Sequence, residues 1–193
     1  MTTNFTISRE GRNEIMSIQE YISTINSLIT SNSSLVINNS GLEHAKILTS
    51  AIFRNAKKIN MLCGGLNSDL ANLPEYKAEF FNFIDKPDSE IKIVFESNRG
   101  NSEILDFLLE KKKSDPLKNI EIRLLAIGDP TFQNLKLNNE GNSIHFTTAN
   151  HNIYRFEYNP SKFTAYGSFN RPEDVNKLND LFFKMFNNGT TIN

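Results

Sequence analysis

Polar side chains that could take part in catalysis are concentrated in the last third of the chain. His145 is followed by Thr147 two residues later and by Asn152 five residues beyond that, and the segment ends in Gly167-Ser168-Phe169-Asn170. An imidazole can act as a nucleophile or carry a proton, and hydroxyl and amide groups can hold a substrate by hydrogen bonds. The spacing therefore indicates a candidate site built around His145 and the Gly-Ser-Phe-Asn segment.

The pattern resembles the motif of the phospholipase D superfamily, in which a His, a Lys two residues later and an Asp five further on precede Gly-Ser and an Asn. The His and the Gly-Ser-x-Asn end are present, and the resemblance makes His145, Ser168 and Asn170 the candidate catalytic residues. Thr147 and Asn152 stand where the motif has Lys and Asp. The chain is thus similar to a phosphate-handling family, with part of the catalytic apparatus replaced.

In active members, the resemblance implies attack by a His nitrogen on a phosphodiester phosphorus, while a His from a second motif protonates the leaving oxygen. This sequence contains one such motif, so an active form would be a homodimer with two His145 side chains facing each other across a two-fold axis. The resemblance implies no cofactor. No metal site is expected, because the sequence has no His-x-x-x-His or Cys-x-x-Cys spacing.

The two substitutions argue against efficient hydrolysis. Thr147 supplies no fixed positive charge for the phosphate oxygens of the transition state, and losing one such group costs roughly 10²- to 10³-fold in rate. Asn152, in the position of the Asp, would orient and stabilise a charged imidazole less well than a carboxylate. Both residues remain candidates for ligand binding.

His151, Arg155 and Glu157 are further candidates for ligand binding. A shifted loop would bring His151 close to the expected Asp position, and Arg155 is a nearby cation that could stand in for the Lys. Arg155 and Glu157 are two residues apart in a predicted strand and project from one face, whereas Tyr154 and Tyr158 project from the other. Two interpretations stay open: a half-exposed strand with a surface salt bridge, or the wall of a remodelled pocket.

Two other segments contain reactive side chains. His44-Ala45-Lys46 repeats the His-x-Lys spacing, but the surrounding pattern is that of a helix, and we expect a solvated helix face. Cys63 precedes Gly64-Gly65 at a predicted strand end. It could form a nucleophile turn, but no base is paired with it, and a small buried apolar residue is the preferred interpretation.

Composition excludes several classes of protein. Lys and Arg number 21 against 22 for Asp and Glu, and the net charge is -1, so no global field favours nucleic acid or an acidic membrane. The single cysteine excludes an intrachain disulfide, and no apolar run is long enough for a membrane span. The N-terminus lacks the pattern of a secretory signal, and a cytoplasmic location is expected.

Apolar periodicity divides the chain into alternating helices and strands. It predicts helices at 13–31, 42–55, 76–83, 102–113 and 171–187, strands at 35–37, 58–63, 91–95, 120–127, 143–148, 153–158 and 163–168, and a polar loop at 128–142. This order, together with the resemblance, predicts an α/β fold: a phospholipase D-like mixed sheet flanked by helices on both faces, with an extra N-terminal helix.

We expect residues 1–34 to form an N-terminal helical extension packed on a phospholipase D-like domain of residues 35–193. The preferred hypothesis is a catalytically degenerate domain that acts as a binding or assembly module, as a homo-oligomer or as a subunit of a protein complex. Its candidate ligand is a nucleic acid or another phosphodiester. The competing hypothesis is a homodimeric phosphodiesterase or nuclease with His145 as the nucleophile, and the third is a plain scaffold protein.

Overall fold

The computed structural model describes residues 17–97 and 102–193. The helices are α1 (Ile18–Thr30), α2 (Leu42–Asn55), α3 (Asp69–Asn72), α4 (Pro74–Asp85), α5 (Glu103–Ser114), α6 (Pro130–Leu137) and α7 (Pro172–Asn188), with a 3-10 turn at Pro160–Lys162. The strands are β1 (Ile37–Asn39), β2 (Lys58–Cys63), β3 (Glu90–Phe95), β4 (Asn119–Leu124), β5 (His145–Ala149), β6 (Ile153–Asn159), β7 (Thr164–Ser168) and β8 (Thr190–Thr191). Residues 13–16 of the first predicted helix lie outside the described residues.

The strands form one eight-stranded sheet in the order β1-β7-β6-β5-β2-β3-β4-β8. β2, β3 and β4 are parallel neighbours, as expected where helices connect successive strands. β5, β6 and β7 follow as antiparallel neighbours, and β5 joins the two halves by pairing antiparallel with β2. The sheet is therefore mixed, as the sequence predicts.

Helices cover both faces of the sheet because most of its strands are apolar on each side. One face packs against α1, α2, α4 and α5, and residues such as Ile52, Phe80 and Leu108 belong to its core. The other face packs against α6 and α7, with Phe132 and Phe182 among its buried side chains. The predicted α/β arrangement with helices on both faces is confirmed.

The N-terminal helix α1 begins with a capping box, in which the side chains of Ser17 and Glu20 each bond the other residue's backbone N–H. Its buried face joins the same core as α2. The ring of Tyr21 stacks on the ring of His44 with 4.1 Å between centroids, so His44 belongs to this helix contact and is not the solvated residue that was expected. A domain boundary at residue 34 stays a prediction.

The predicted polar loop at 128–142 is wrong, because it contains α6. The Asp129 carboxylate accepts a hydrogen bond from the Phe132 N–H, and Pro130 fits the first turn, where its missing N–H has no partner to lose. Phe132 and Leu135 bury the apolar side of this short helix. Two buried residues in a polar stretch are too few to give a clear helical period.

Smaller differences concern the ends of the sheet. The first strand lies two residues later than predicted, at Ile37–Asn39, and the strand predicted at 120–127 ends at Leu124. The short elements α3 and β8 have too few residues to show a period. Within the described part of the chain, no helix combines the length and apolar character needed to cross a membrane.

Candidate functional site

The candidate site forms where three strands bring charged side chains to one face of the sheet. His145 begins β5 and is paired with Glu157 of β6, so the two side chains project from the same face. Glu96 follows β3 directly, and its N–H donates to the carbonyl oxygen of Cys63 at the end of the neighbouring strand β2. This backbone bond holds the Glu96 carboxylate beside His145.

Both ring nitrogens of His145 face carboxylates. Nε2 lies 3.2 Å from Glu96 Oε2, and Nδ1 lies 3.5 Å from Glu157 Oε2. The other Glu96 oxygen accepts a hydrogen bond of 2.7 Å from the Ser143 hydroxyl. Gly64 lies against the ring, since a Cβ at this position would stand 3.2 Å from His145 Cε1. The imidazole is thus fixed on two sides by acceptors and on a third by close backbone.

Arg155 extends this network into the interior. Its Nη2 donates to Glu157 Oε1 at 2.6 Å, and its Nε donates to the side-chain oxygen of Asn39 at 3.1 Å. The Asn39 amide in turn donates to the carbonyl of Phe163. Arg155 is 5% exposed and Glu157 is 6% exposed, so the alternative of a half-exposed strand with a surface salt bridge is wrong. The pair forms part of a pocket wall.

The charges of these groups follow from their contacts. Hydrogen bonding from His145 lowers the pKa of Glu96 to about 2, with a further contribution from Ser143. Burial alone would raise the pKa of Glu157, but the charge of Arg155 and the bond from His145 lower it to about 2. Burial alone would lower the pKa of His145, but its two carboxylate partners raise it above the ordinary value. Near neutral pH the network therefore favours an imidazolium between two carboxylates.

A cavity of about 420 Å³ opens beside this network. Its walls come from the end of β2, the loop that follows it, α2, the start of α4, and the β5–β7 hairpins. The lining residues that matter below are Thr49, Gly64, Tyr76, His145, Arg155 and Glu157. Small-molecule sites in proteins commonly measure roughly 300–1,000 Å³, so the cavity has the size of a ligand site.

Four of the predicted site residues meet in this cavity, namely His145, Thr147, Arg155 and Glu157. Ser168 is elsewhere. It pairs with Tyr154, and because side chains alternate along a strand, it projects to the opposite face of the sheet from Arg155. Ser168 is 1% exposed and is covered on that side of the sheet.

The remaining three predicted residues have structural contacts outside the cavity. The Asn152 side chain donates to the carbonyl of Phe169 at 3.0 Å, and the Asn170 side chain donates to the carbonyl of Asn32 at 2.8 Å. His151 is exposed in the turn between β5 and β6. The structure therefore separates the Gly-Ser-Phe-Asn segment from the His145 cavity, and the catalytic roles expected for Ser168 and Asn170 remain untested predictions.

Sequence reasoning missed Glu96, Asn39 and Thr49. Glu96 carried a usable signal, because it directly follows the predicted strand 91–95, and carboxyl ends of parallel strands meet at one sheet edge. Asn39 and Thr49 come from distant parts of the chain and have no distinguishing spacing. Cys63 also lines the cavity, and burial raises the pKa of its thiol to about 12, which agrees with the expected structural role.

Comparison with known proteins gives matches among solved structures. No family model matches the chain, and no curated protein sequence matches it. The crystal structure of Nuc from Salmonella typhimurium, a phospholipase D family member, superposes with a TM-score of 0.57 at 15% identity, covering 82% of this chain and 97% of Nuc. TrmBL2, an archaeal chromatin protein whose structure shows a novel mode of DNA binding, gives a TM-score of 0.52 at 11% identity.

The two matches differ in how much of each protein they include. The TrmBL2 match covers 90% of this chain and 62% of TrmBL2, so this chain spans less than two thirds of that protein. The Nuc match covers nearly all of Nuc. At these identities a structural match carries the fold and leaves activity open. The chain therefore has a phospholipase D-like fold.

Proposed function

We propose that this protein is a phospholipase D-like binding module that does not hydrolyse phosphodiesters. The observation that carries the proposal is the contact between His145 Nε2 and Glu96 Oε2, at 3.2 Å. With Glu157 at 3.5 Å from Nδ1, a carboxylate faces each ring nitrogen. An imidazole can attack phosphorus only through a nitrogen with a free lone pair, and here each nitrogen has an acceptor in front of it.

Protonation works in the same direction. The two carboxylates raise the pKa of His145, and an imidazolium has no free lone pair on either nitrogen. Two carboxylates beside the ring would also repel an incoming phosphate. The arrangement thus favours a stable ion-paired histidine over a nucleophile.

A cation for the transition state is also missing from the described wall of the cavity. Thr147 stands two residues after His145 and is uncharged. Arg155, the candidate replacement, is bonded to Glu157 and Asn39, so its charge is already matched by a buried carboxylate. The loss of preorganised positive charge costs roughly 10²- to 10³-fold in rate for each group.

The binding role is supported by the cavity, which persists beside a site unsuited to hydrolysis. We propose that the module acts in a homo-oligomer or as a subunit of a protein complex. TrmBL2 is a chromatin protein that binds DNA, and Nuc is a phospholipase D family member, so nucleic acids and phosphodiesters are the first ligands to test.

The test compares cleavage with binding. Purified protein is incubated with single-stranded DNA, double-stranded DNA, RNA and bis(p-nitrophenyl) phosphate, and the same nucleic acids are titrated against it by fluorescence anisotropy. We expect no cleavage above that of the His145→Ala variant. Cleavage that disappears in His145→Ala would overturn the proposal.

One contact favours a second candidate, the homodimeric phosphodiesterase. A carboxylate near Nδ1 orients an imidazole and stabilises its charged form in known catalytic triads, and Glu157 stands at that position. This candidate needs two His145 side chains facing each other in a dimer. Sedimentation analysis gives a direct check, because a strict monomer at assay concentration would exclude it.

A further inference from the structure

The Thr49 hydroxyl is a buried polar group without a partner on the wall of the cavity. Thr49 lies in the middle of α2, is 3% exposed and lines the cavity beside His145 and Arg155. Its Oγ1 has no hydrogen bond to any described residue. Buried hydroxyls are nearly always hydrogen-bonded, and a threonine inside a helix commonly bonds the carbonyl four residues earlier. An unused hydroxyl at a cavity wall indicates that a ligand supplies the partner.

The charged groups on the same wall satisfy one another. Arg155 bonds Glu157, and His145 lies between Glu157 and Glu96. Among the described residues, this gives two positive and two negative side chains. Asp69, at the start of α3, is exposed. The wall therefore offers no unmatched positive charge to an anionic ligand, and the free group is an uncharged hydroxyl.

The rest of the lining is suited to a ligand with apolar surface. Met61, Leu70, Tyr76 and Phe163 contribute side chains or backbone to the cavity, and Tyr76 is 4% exposed. Leu66 and Phe163, also lining residues, have the left-handed φ angles of 55° and 52° that non-glycine residues rarely adopt. The volume of about 420 Å³ limits the ligand to a small molecule.

We propose that this cavity binds an uncharged ligand of nucleoside size, with one polar edge on the Thr49 hydroxyl and an apolar face against Tyr76 and Phe163. The inference rests on the proposed function, since it requires a cavity that binds and does not cleave. A ribonucleoside fits this chemistry because it carries hydrogen-bonding groups around a flat ring and has no net charge.

The experiment titrates the four ribonucleosides, their 5′-monophosphates and inorganic phosphate separately, following thermal unfolding and isothermal titration heat. We expect at least one ribonucleoside to raise Tm and to bind more tightly than its monophosphate. Thr49→Val, which replaces the hydroxyl by a methyl group of similar shape, should weaken this binding about tenfold. Its own Tm without ligand should be equal to that of the parent or higher, because the lost hydroxyl had no partner.

Ser50→Ala is the matched control. Ser50 is the next residue of α2, its hydroxyl is also buried without a hydrogen bond to the described residues, and it is not among the lining residues of the cavity. We expect it to leave nucleoside binding unchanged. The inference is overturned if no ribonucleoside binds, if Thr49→Val binds as tightly as the parent, or if the monophosphate or inorganic phosphate binds more tightly than the nucleoside.

These outcomes are separate from failure of the proposed function. Cleavage of a phosphodiester that depends on His145 would overturn the proposed function, whatever the nucleoside titration gives. Absence of nucleoside binding in a protein that binds nucleic acid without cleaving it would overturn the inference alone.

Discussion

Arg155 and Glu157 form an ion pair inside the protein, with 2.6 Å between Arg155 Nη2 and Glu157 Oε1. The two residues are neighbours on one face of β6, and their side chains are 6% and 8% exposed. Glu157 also faces His145, so it is the centre of a buried cluster with two cationic partners. Removing either partner changes the charge balance of a region that water does not reach.

Arg155→Met should destabilise the protein by about 3–5 kcal/mol, because it leaves the Glu157 carboxylate buried with one cationic partner fewer. Urea unfolding followed by circular dichroism measures the change. The double variant Arg155→Met/Glu157→Gln should recover part of the loss, since it also removes the buried charge.

An exposed ion pair supplies the control for this variant. Lys57 and Asp88 also lie 2.8 Å apart, but their side chains are 71% and 63% exposed. Lys57→Met should change the free energy of unfolding by about 1 kcal/mol or less. Equal effects of Arg155→Met and Lys57→Met would contradict the structural account of the buried cluster.

Stability should depend on pH through Glu96, Glu157 and His145. The pKa of each carboxyl is lowered from 4.5 to about 2, so their contribution is present above pH 4.5 and is lost as the pH falls toward 2. The pKa of His145 is raised from 6.5, so its contribution is complete below pH 6.5 and is lost as the pH rises through the folded-state value. These three groups together favour a maximum between about pH 4.5 and 6.5.

Urea midpoints measured from pH 3 to pH 9 test this dependence. In His145→Gln the decrease on the alkaline side should be smaller than in the parent protein, because the titrating imidazole is absent. A decrease of the same size in both proteins would assign the alkaline effect to other groups.

The sequence could predict the half of the site that lies within one hairpin. The strands at 143–148 and 153–158 were recognisable, and alternation placed Arg155 and Glu157 on one face. Glu96 and Asn39 come from β3 and β1, which are far from β5 and β6 in the chain. Their approach depends on the register between distant strands, and residue spacing carries no information about that register.

The motif itself misled in one respect. Spacing suggested that His145 and Ser168 act together, but strand alternation puts them on opposite faces of the sheet. The overall order of helices and strands was predictable, because long amphipathic segments such as α7 show a clear period. Helix α6 was not, because its polar residues outnumber its two buried ones.

Ser168→Ala should leave the cavity unaffected. The Ser168 hydroxyl accepts a hydrogen bond of 3.4 Å from the Asn170 N–H on the far side of the sheet, so a stability loss of about 1 kcal/mol is expected. Binding of any ribonucleoside or nucleic acid that depends on His145 or Thr49 should be unchanged in this variant, as measured by isothermal titration. A large loss of binding would restore Ser168 to the functional site.

Gly167→Ala should be destabilising for a structural reason. A Cβ at Gly167 would stand 2.5 Å from the backbone oxygen of Tyr154 on β6, which is too close unless the strands move apart. Overpacking of this kind costs roughly 1–3 kcal/mol, measurable by urea unfolding. Gly141→Asn is the control, because Gly141 has nothing within 4 Å of its Cβ position and its φ of 79° is one that asparagine tolerates. If Gly167→Ala were as stable as the parent protein, the close packing of β6 and β7 would not explain the glycine of the Gly-Ser-Phe-Asn segment.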